Sequence, residues 1–320
     1  MESATVETRI AALEADLAAT TANYDASLDA VWMLTASARV FFMHCGFTAF
    51  ETGCVRYKNA KHVLAKNISV TILALLCWYC VGYSLAFGER EDSHPFIGSS
   101  SFVAMQNFSA SKDRFRQWLF QGLFCATSAT IVSGAMAERT RLIGFMIYTV
   151  ALTAFVHPIV ACWVWSGHGF LCHGVGESFL GPGFKDFAGS GVVHLVGGVS
   201  ALCGAVVVGP RVGRWDEDKV SEFKAHNMTL CVLGSLFLWF GWYGFNSGST
   251  LTMHDRATAH RAALVAVNTT LCPCSSGLLC LFLRKVFIPP YRVDVGALCN
   301  GCLAGLVSIT ASCGFVKPWE

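Results

Sequence analysis

The chain has 320 residues, 54% of them hydrophobic and only 14% charged, with a formal net charge of +2. A soluble domain carries about 25% charged residues, so this composition excludes an ordinary soluble protein and indicates a polytopic membrane protein. The small, dispersed charge offers no basic face for nucleic acid and no acidic tract for a basic partner.

Residues 1–29 lack the basic start and continuous apolar core of a signal peptide. Val6, Ile10, Leu13 and Leu17 recur at helical spacing among Glu7, Glu14 and Asp16, which predicts a short external amphipathic helix within residues 1–30. Two readings stand for it: packing between subunits of an oligomer, or a frayed tail. Residues 31–320 then form a membrane domain. Its apolar stretches, each near the roughly 20 residues that span a bilayer, run 31–54, 67–87, 117–136, 142–165, 190–209, 228–249, 262–283 and 296–316. The fold class is all-α, a polytopic bundle of about eight transmembrane helices.

Basic residues collect in alternate connections: Arg56, Lys58, Lys61 and Lys66; Arg139 and Arg141; Arg211, Arg214, Lys219 and Lys224; Arg284, Lys285 and Arg292. The positive-inside rule makes that side cytoplasmic and the N-terminus external. On the other side lie a loop at 88–116, where Glu89, Glu91 and Asp92 offset the basic residues, and an aromatic, Gly-rich loop at 166–188. Of four Asn-x-Ser/Thr sequons, those at Asn67, Asn227 and Asn268 fall in or beside membrane or cytoplasmic segments, leaving Asn107 as the external glycosylation candidate.

Fifteen cysteines sit mostly inside apolar runs, as small packing residues do. Cys272-Pro-Cys274 and Cys299-Asn-Gly-Cys302 lack the second matching pair or spaced histidines of a metal or redox site. No cofactor or metal is expected.

The fifth span opens Asp186-Phe-Ala-Gly-Ser-Gly-Val-Val-His194, placing an acidic residue at one end of a membrane helix and a histidine two turns inside it. An ionisable residue in hydrocarbon costs roughly 2.5 to 3.5 kcal/mol when charged and by default marks a functional interior. Asp186 also suits the positive end of the helix dipole and can cap free N–H groups. Ser190, Gly191, Gly197, Gly198, Ala201, Gly204 and Ala205 make this helix small along much of its circumference, which permits close approach of neighbours. The sixth span ends Trp239-Phe-Gly-Trp-Tyr-Gly-Phe-Asn-Ser-Gly-Ser249. It reads either as an interfacial aromatic belt or as a cavity wall presenting ring faces and a hydroxyl to a small cation.

Four residues take structural readings. His157, before Pro158, is a packed or kink-associated histidine. His44 approaches either a pore or a neighbouring helix. Glu51 snorkels or pairs with a basic neighbour such as Arg56, and Asn246 satisfies a nearby backbone group.

Six strings occur in order: Gly53-Cys-Val-Arg-Tyr-Lys-Asn59, Gly82-Tyr-Ser-Leu-Ala-Phe-Gly88, Ser133-Gly-Ala-Met-Ala-Glu-Arg-Thr140, Asp186 to His194, Gly209-Pro-Arg-Val-Gly-Arg214 and Trp239 to Ser249. With them the chain resembles the ammonium transporter family (Amt/Mep/Rh), most closely its eukaryotic Amt branch, from about residue 31 onward. The resemblance implies two inverted five-helix repeats plus a final helix, assembled as a trimer with one pore per subunit, acting as a transporter and not an enzyme. It implies that Trp165 and Ser249 recruit ammonium, that Phe124 and Phe245 are the stacked rings of a gate, that Asp186 fixes the vestibule, and that His194 is the first of two pore histidines. In a dry pore, stripping water from ammonium favours its neutral form, and a neutral imidazole can accept a proton or hydrogen-bond ammonia.

The resemblance implies further helices beyond the segment matching Glu320, one bearing the second pore histidine. His226, His254 and His260 do not match it. The expectation is a fragment whose second repeat is incomplete, with a diverged chain that does not conduct alone as the alternative. The functional expectation is transmembrane transport of ammonium or ammonia. The alternatives are an ammonium sensor and a non-conducting truncated subunit that joins full-length partners in a trimer. A membrane enzyme or bis-histidine haem protein ranks below these. The expected partners are ammonium or ammonia, the lipid bilayer and other subunits, with no nucleic acid, in the plasma membrane.

Overall fold

The computed structural model describes residues 2–88, 94–100, 114–172, 183–289 and 292–320. Glu89, Glu91, Asp92 and the Asn107 sequon lie outside the described residues. The helices are α1 (Glu2–Cys54), α2 (Tyr57–Phe87), α3 (Arg114–Ala135), α4 (Leu142–Trp165), α5 (Ser190–Val208), α6 (Met228–Gly248), α7 (Arg256–Phe287) and α8 (Val295–Ile309). Among the described residues seven helices are long and apolar enough to cross a bilayer, and α8 is a shorter apolar helix of 15 residues.

Three boundaries differ from those read in the sequence. The N-terminal segment is not a separate short helix: α1 runs unbroken through residue 30, and Val6, Ile10, Leu13 and Leu17 are exposed on it. Helix α2 begins well before residue 67 and carries Lys58, Lys61 and Lys66. Helix α8 stops at Ile309 because the chain then turns, with Asn268 Nδ2 on α7 donating to the carbonyls of Cys313 and Val316 at 2.9 Å.

The centre of the bundle is the crossing of α1 and α6, where backbones touch. A Cβ on Gly234 would lie 2.3 Å from Phe50 N, one on Gly46 2.8 Å from Leu238 N, and one on Gly244 2.7 Å from Ala36 O. Small residues allow such approach, and dispersion across the close faces supplies the association that lipid does not. Helices α3, α5 and α8 pack around this pair, enclosing Met33, Val40, Met43, Phe120, Phe124, Leu238, Trp242, Phe245 and Leu306.

Helix α5 uses less of its small surface than its composition offers. Gly197 meets Ile131 and Ser128 of α3, and Gly204 meets Met136 just beyond it, but Gly198 has open space around it.

Two polar clusters mark the two ends. At one, Glu138 is held by Arg56 Nε at 2.9 Å, Asn59 Nδ2 at 2.7 Å and Arg211, which gathers the connections after α1, α3 and α5. Burial raises the Glu138 carboxyl, but these hydrogen bonds outweigh it and hold its pKa down at about 2. At the other, Asp29 of α1 accepts from Met253 N at 2.7 Å and His254 Nδ1 at 2.9 Å, while Arg116 of α3 lies 3.8 Å away.

Candidate functional site

Helix α5 begins with a wide turn. Ser190–Leu195 is π-helical, with both Val193 N and His194 N donating to Gly189 O, at 3.0 and 3.1 Å. Such turns are rare and concentrate at functional positions. Asp186 sets this one up: its Oδ1 accepts from Gly189 N at 2.9 Å, and its Oδ2 accepts from Gly191 N at 2.7 Å and Val192 N at 2.9 Å. Burial pushes the Asp186 carboxyl above its usual range, and the backbone donors of Val192, Gly189 and Gly191 pull the other way without cancelling it. Gly189 is required for two reasons. Its φ of +108° is left-handed, and a Cβ there would meet Val193 Cγ2 at 2.9 Å and Trp165 Cη2 at 3.1 Å.

The same turn fastens three helices. Trp165 Nε1, at the end of α4, donates to Asp186 O at 2.8 Å. Ser190 Oγ donates to Val307 O of α8 at 2.6 Å and accepts from Ala311 N at 2.8 Å. Phe187 N and Ala188 N donate to the carbonyls of Ala311 and Thr310.

The residues singled out in the sequence form one connected column. Phe124 of α3 and Phe245 of α6 stack face to face, with centroids 3.7 Å apart and planes 8° from parallel, and both are fully buried. Trp165 meets Phe124 edge-on at 6.0 Å. His194 lies against Phe245 at 5.4 Å and stacks on Trp242 at 5.0 Å and 14°. It is 6% exposed, and neither ring nitrogen has a hydrogen-bond partner among the described residues. Ser249 Oγ donates to Phe245 O at 2.9 Å, which leaves its oxygen free to accept.

Residues 31–320 match the Ammonium Transporter Family. The chain belongs to the ammonium transporter family. It is 40% identical over 301 residues to "Ammonium transporter 1 member 3" of Solanum lycopersicum, covering 92% of this chain and 64% of that protein. To "Ammonium transporter 3" of Dictyostelium discoideum it is 36% identical over 294 residues, covering 91% of this chain and 64% of the relative. The chain thus spans a little under two thirds of the length of these curated relatives. Among solved structures it resembles a "Sensor Amt Protein" with a TM-score of 0.83 and 34% identity, over 93% of this chain and 71% of that one. It resembles Saccharomyces cerevisiae Mep2 with a TM-score of 0.77 and 30% identity, over 91% and 64%.

Within this family member, several side chains sit where residue type alone did not put them. Trp242, whose Nε1 donates to Thr310 Oγ1 at 2.9 Å, supplies the floor on which His194 stacks. It was legible in the sequence only as one ring among five in the aromatic run. Glu51 pairs with Lys66, not with Arg56, which belongs to Glu138. Asn246 Nδ2 donates to the Thr269 hydroxyl at 2.9 Å and not to a backbone group. His44 Nδ1 lies 3.4 Å from the hydroxyls of both Thr71 and Thr130. It lines a groove of about 830 Å³ between α1 and α2, off the aromatic column. His157 is buried and packs edge-on against Trp78.

The sequons also have inward duties. Asn67 is buried beside Lys66, Asn227 caps α6 by accepting from Leu230 N at 3.1 Å, and Asn268 ties down the turn after α8.

Proposed function

We propose that the chain carries ammonium or ammonia across a membrane through the column built on Phe124, Phe245 and His194. In this reading the Trp165 ring face and the Ser249 hydroxyl recruit the cation. A cation over an aromatic face gains roughly 0.5 to 2 kcal/mol, and a hydroxyl oxygen accepts one of its N–H bonds. The stacked phenyl rings close the path to hydrated ions, which distinguishes ammonium from potassium because only ammonium can shed a proton and continue as a neutral molecule. Asp186 holds the mouth by fixing the α5 turn, and His194 meets the species that passes the rings.

The observation that carries this reading is the buried His194, with both nitrogens unpartnered, set directly against the stacked pair. A buried polar group without a partner costs about 1–3 kcal/mol, so its retention at this place is best explained by a ligand that hydrogen-bonds there.

The orientation follows the basic connections, with Arg56, Arg139 and Arg211 cytoplasmic and the N-terminus external, in the plasma membrane, and the subunits form trimers. In this reading α1–α5 and the helices from α6 onward are the two inverted repeats.

The test is growth and labelled methylammonium uptake in cells lacking their own ammonium uptake. Wild type restores both. His194→Ala and Phe124→Ala each change uptake or its selectivity over potassium by about tenfold or more, the scale of losing one directed interaction of roughly 1.4 kcal/mol. Properly inserted wild-type protein that neither transports nor binds ammonium overturns the proposal. The resemblance to a protein titled as a sensor supports a second reading: saturable ammonium binding that needs Trp165 and Ser249, without uptake.

A further inference from the structure

A second polar site lies away from the aromatic column, where α1, α2 and α3 meet. Lys66 is 0% exposed and forms an ion pair with Glu51, itself 8% exposed, and both lie within membrane-crossing helices. Ionisable groups in such segments are costly and mark sites by default. A lysine ammonium has three donors and no acceptor, and here all three are used. They go to the Glu51 carboxylate, to Asn67 Oδ1 at 2.7 Å and to Ser133 Oγ at 2.6 Å. Ser133 gives its own proton to Thr130 O at 2.8 Å and therefore faces the lysine as a pure acceptor. The Phe145 ring lies 5.5 Å from Nζ and offers its π face.

Three converging oxygens, one of them charged, and an aromatic face are the surroundings a free primary ammonium would take. The site is also close to open space. A Cβ on Gly134 would meet Glu51 Oε1 at 2.8 Å, and Gly134 itself lines a cleft of about 390 Å³ with Glu138, Arg139 and Arg211. Ser133 lies about 13 Å along α3 from Phe124, toward this end of the bundle.

We propose that Glu51, Asn67 and Ser133 form a binding cage for a primary ammonium ion, and that Lys66 is its tethered occupant, which keeps free ammonium from being held at this end of the bundle. A buried carboxylate without Lys66 would be a deep well for any cation reaching the cleft, and conduction requires sites weak enough to leave. The tether gives the lysine head a high effective concentration, so the cage is filled and neutral in the resting chain. The bearing on transport rests on the function proposed above, but the cage itself does not.

Lys66→Ala removes a propylammonium fragment and empties the cage. In detergent this variant melts below wild type. Millimolar methylammonium, ethylammonium and n-propylammonium raise its melting temperature by several degrees, most for n-propylammonium, which refills the vacated volume. Tetramethylammonium, which has no N–H, and sodium chloride at equal concentration do not. The part of the response due to the cage is lost in Lys66→Ala/Glu51→Gln. That double variant keeps the aromatic column, so any response from the transport path is common to both proteins and cancels. A Lys66→Ala protein indifferent to every amine, equally stabilised by sodium, or undiminished in its response with Gln at 51 overturns the proposal. If Lys66→Ala cannot be purified alone, it is extracted with n-propylammonium present throughout. Recovery of monodisperse protein that depends on that amine supports the cage. Failure with every amine, while Lys66→Met/Glu51→Gln purifies, overturns it.

Discussion

Asp29 shows how one carboxylate can fasten distant segments. It accepts from the backbone and imidazole of the loop after α6 and lies near Arg116 of α3. The hydrogen bond from His254 to Asp29 raises the histidine pKa above 6.5, with nearby Asp25 and Asp255 adding to it. Because the shift is upward, the protonated pair favours the folded arrangement at pH values below 6.5, and that contribution is lost as pH rises through the folded pKa. Asp29→Asn should therefore lower the His254 pKa, read by NMR of the imidazole resonances. An unchanged titration would mean the contact is absent in solution. Asp186 acts on the α5 turn in the same manner. Asp186→Asn replaces a carboxylate that serves three backbone donors with an amide that has one accepting oxygen, and the unsatisfied N–H groups should cost about 1–3 kcal/mol each, seen as a lower melting temperature in detergent.

At the scale of helices, glycine matters by position and not by number. Gly234 sits where a Cβ would strike the backbone of α1 at Phe50, whereas Gly198 faces open space on α5. Gly234→Ala must push α1 and α6 apart and should destabilise by about 1–3 kcal/mol. Gly198→Ala should be neutral or stabilise by up to about 1 kcal/mol through helix propensity. Thermal unfolding of the pair decides the matter, since equal effects would contradict the packing described. The helical periodicity and apolar runs were readable along the chain because they are local. The π-turn at Ser190–Leu195 was not, because it rests on His194 N reaching back five residues to Gly189 O, which no residue spacing marks. The true start of α2 was missed because Lys58, Lys61 and Lys66 look like a connection until Lys66 is seen paired inside the bundle.

Across the whole molecule, one glutamate links three connections. Glu138 takes donors from Arg56, Asn59 and Arg211, and its pKa falls from 4.5 to about 2. A depressed carboxylate stabilises the fold above its unfolded value, and that stabilisation fades as pH drops from about 4.5 through about 2. Glu138→Gln should accordingly lower the melting temperature at neutral pH, and the gap to wild type should close across that acid window. A gap independent of pH would show that shape and not charge holds the cluster. The same three connections surround the cleft that borders the Glu51 carboxylate, so loosening Glu138 should also weaken the amine response of Lys66→Ala.

The amino-acid sequence by itself determined the membrane character, the all-α class, the ammonium transporter family and the residues of the aromatic column. The first two follow from residue type and spacing within one helix, and the last two from the ordered motifs and what the family resemblance implies. The tertiary structure alone decided the pairings: Glu51 with Lys66, Arg56 with Glu138, Trp242 beneath His194, and an open face at Gly198. Several plausible partners for each charge and ring lie along the chain, and only the packed distances between helices select one of them.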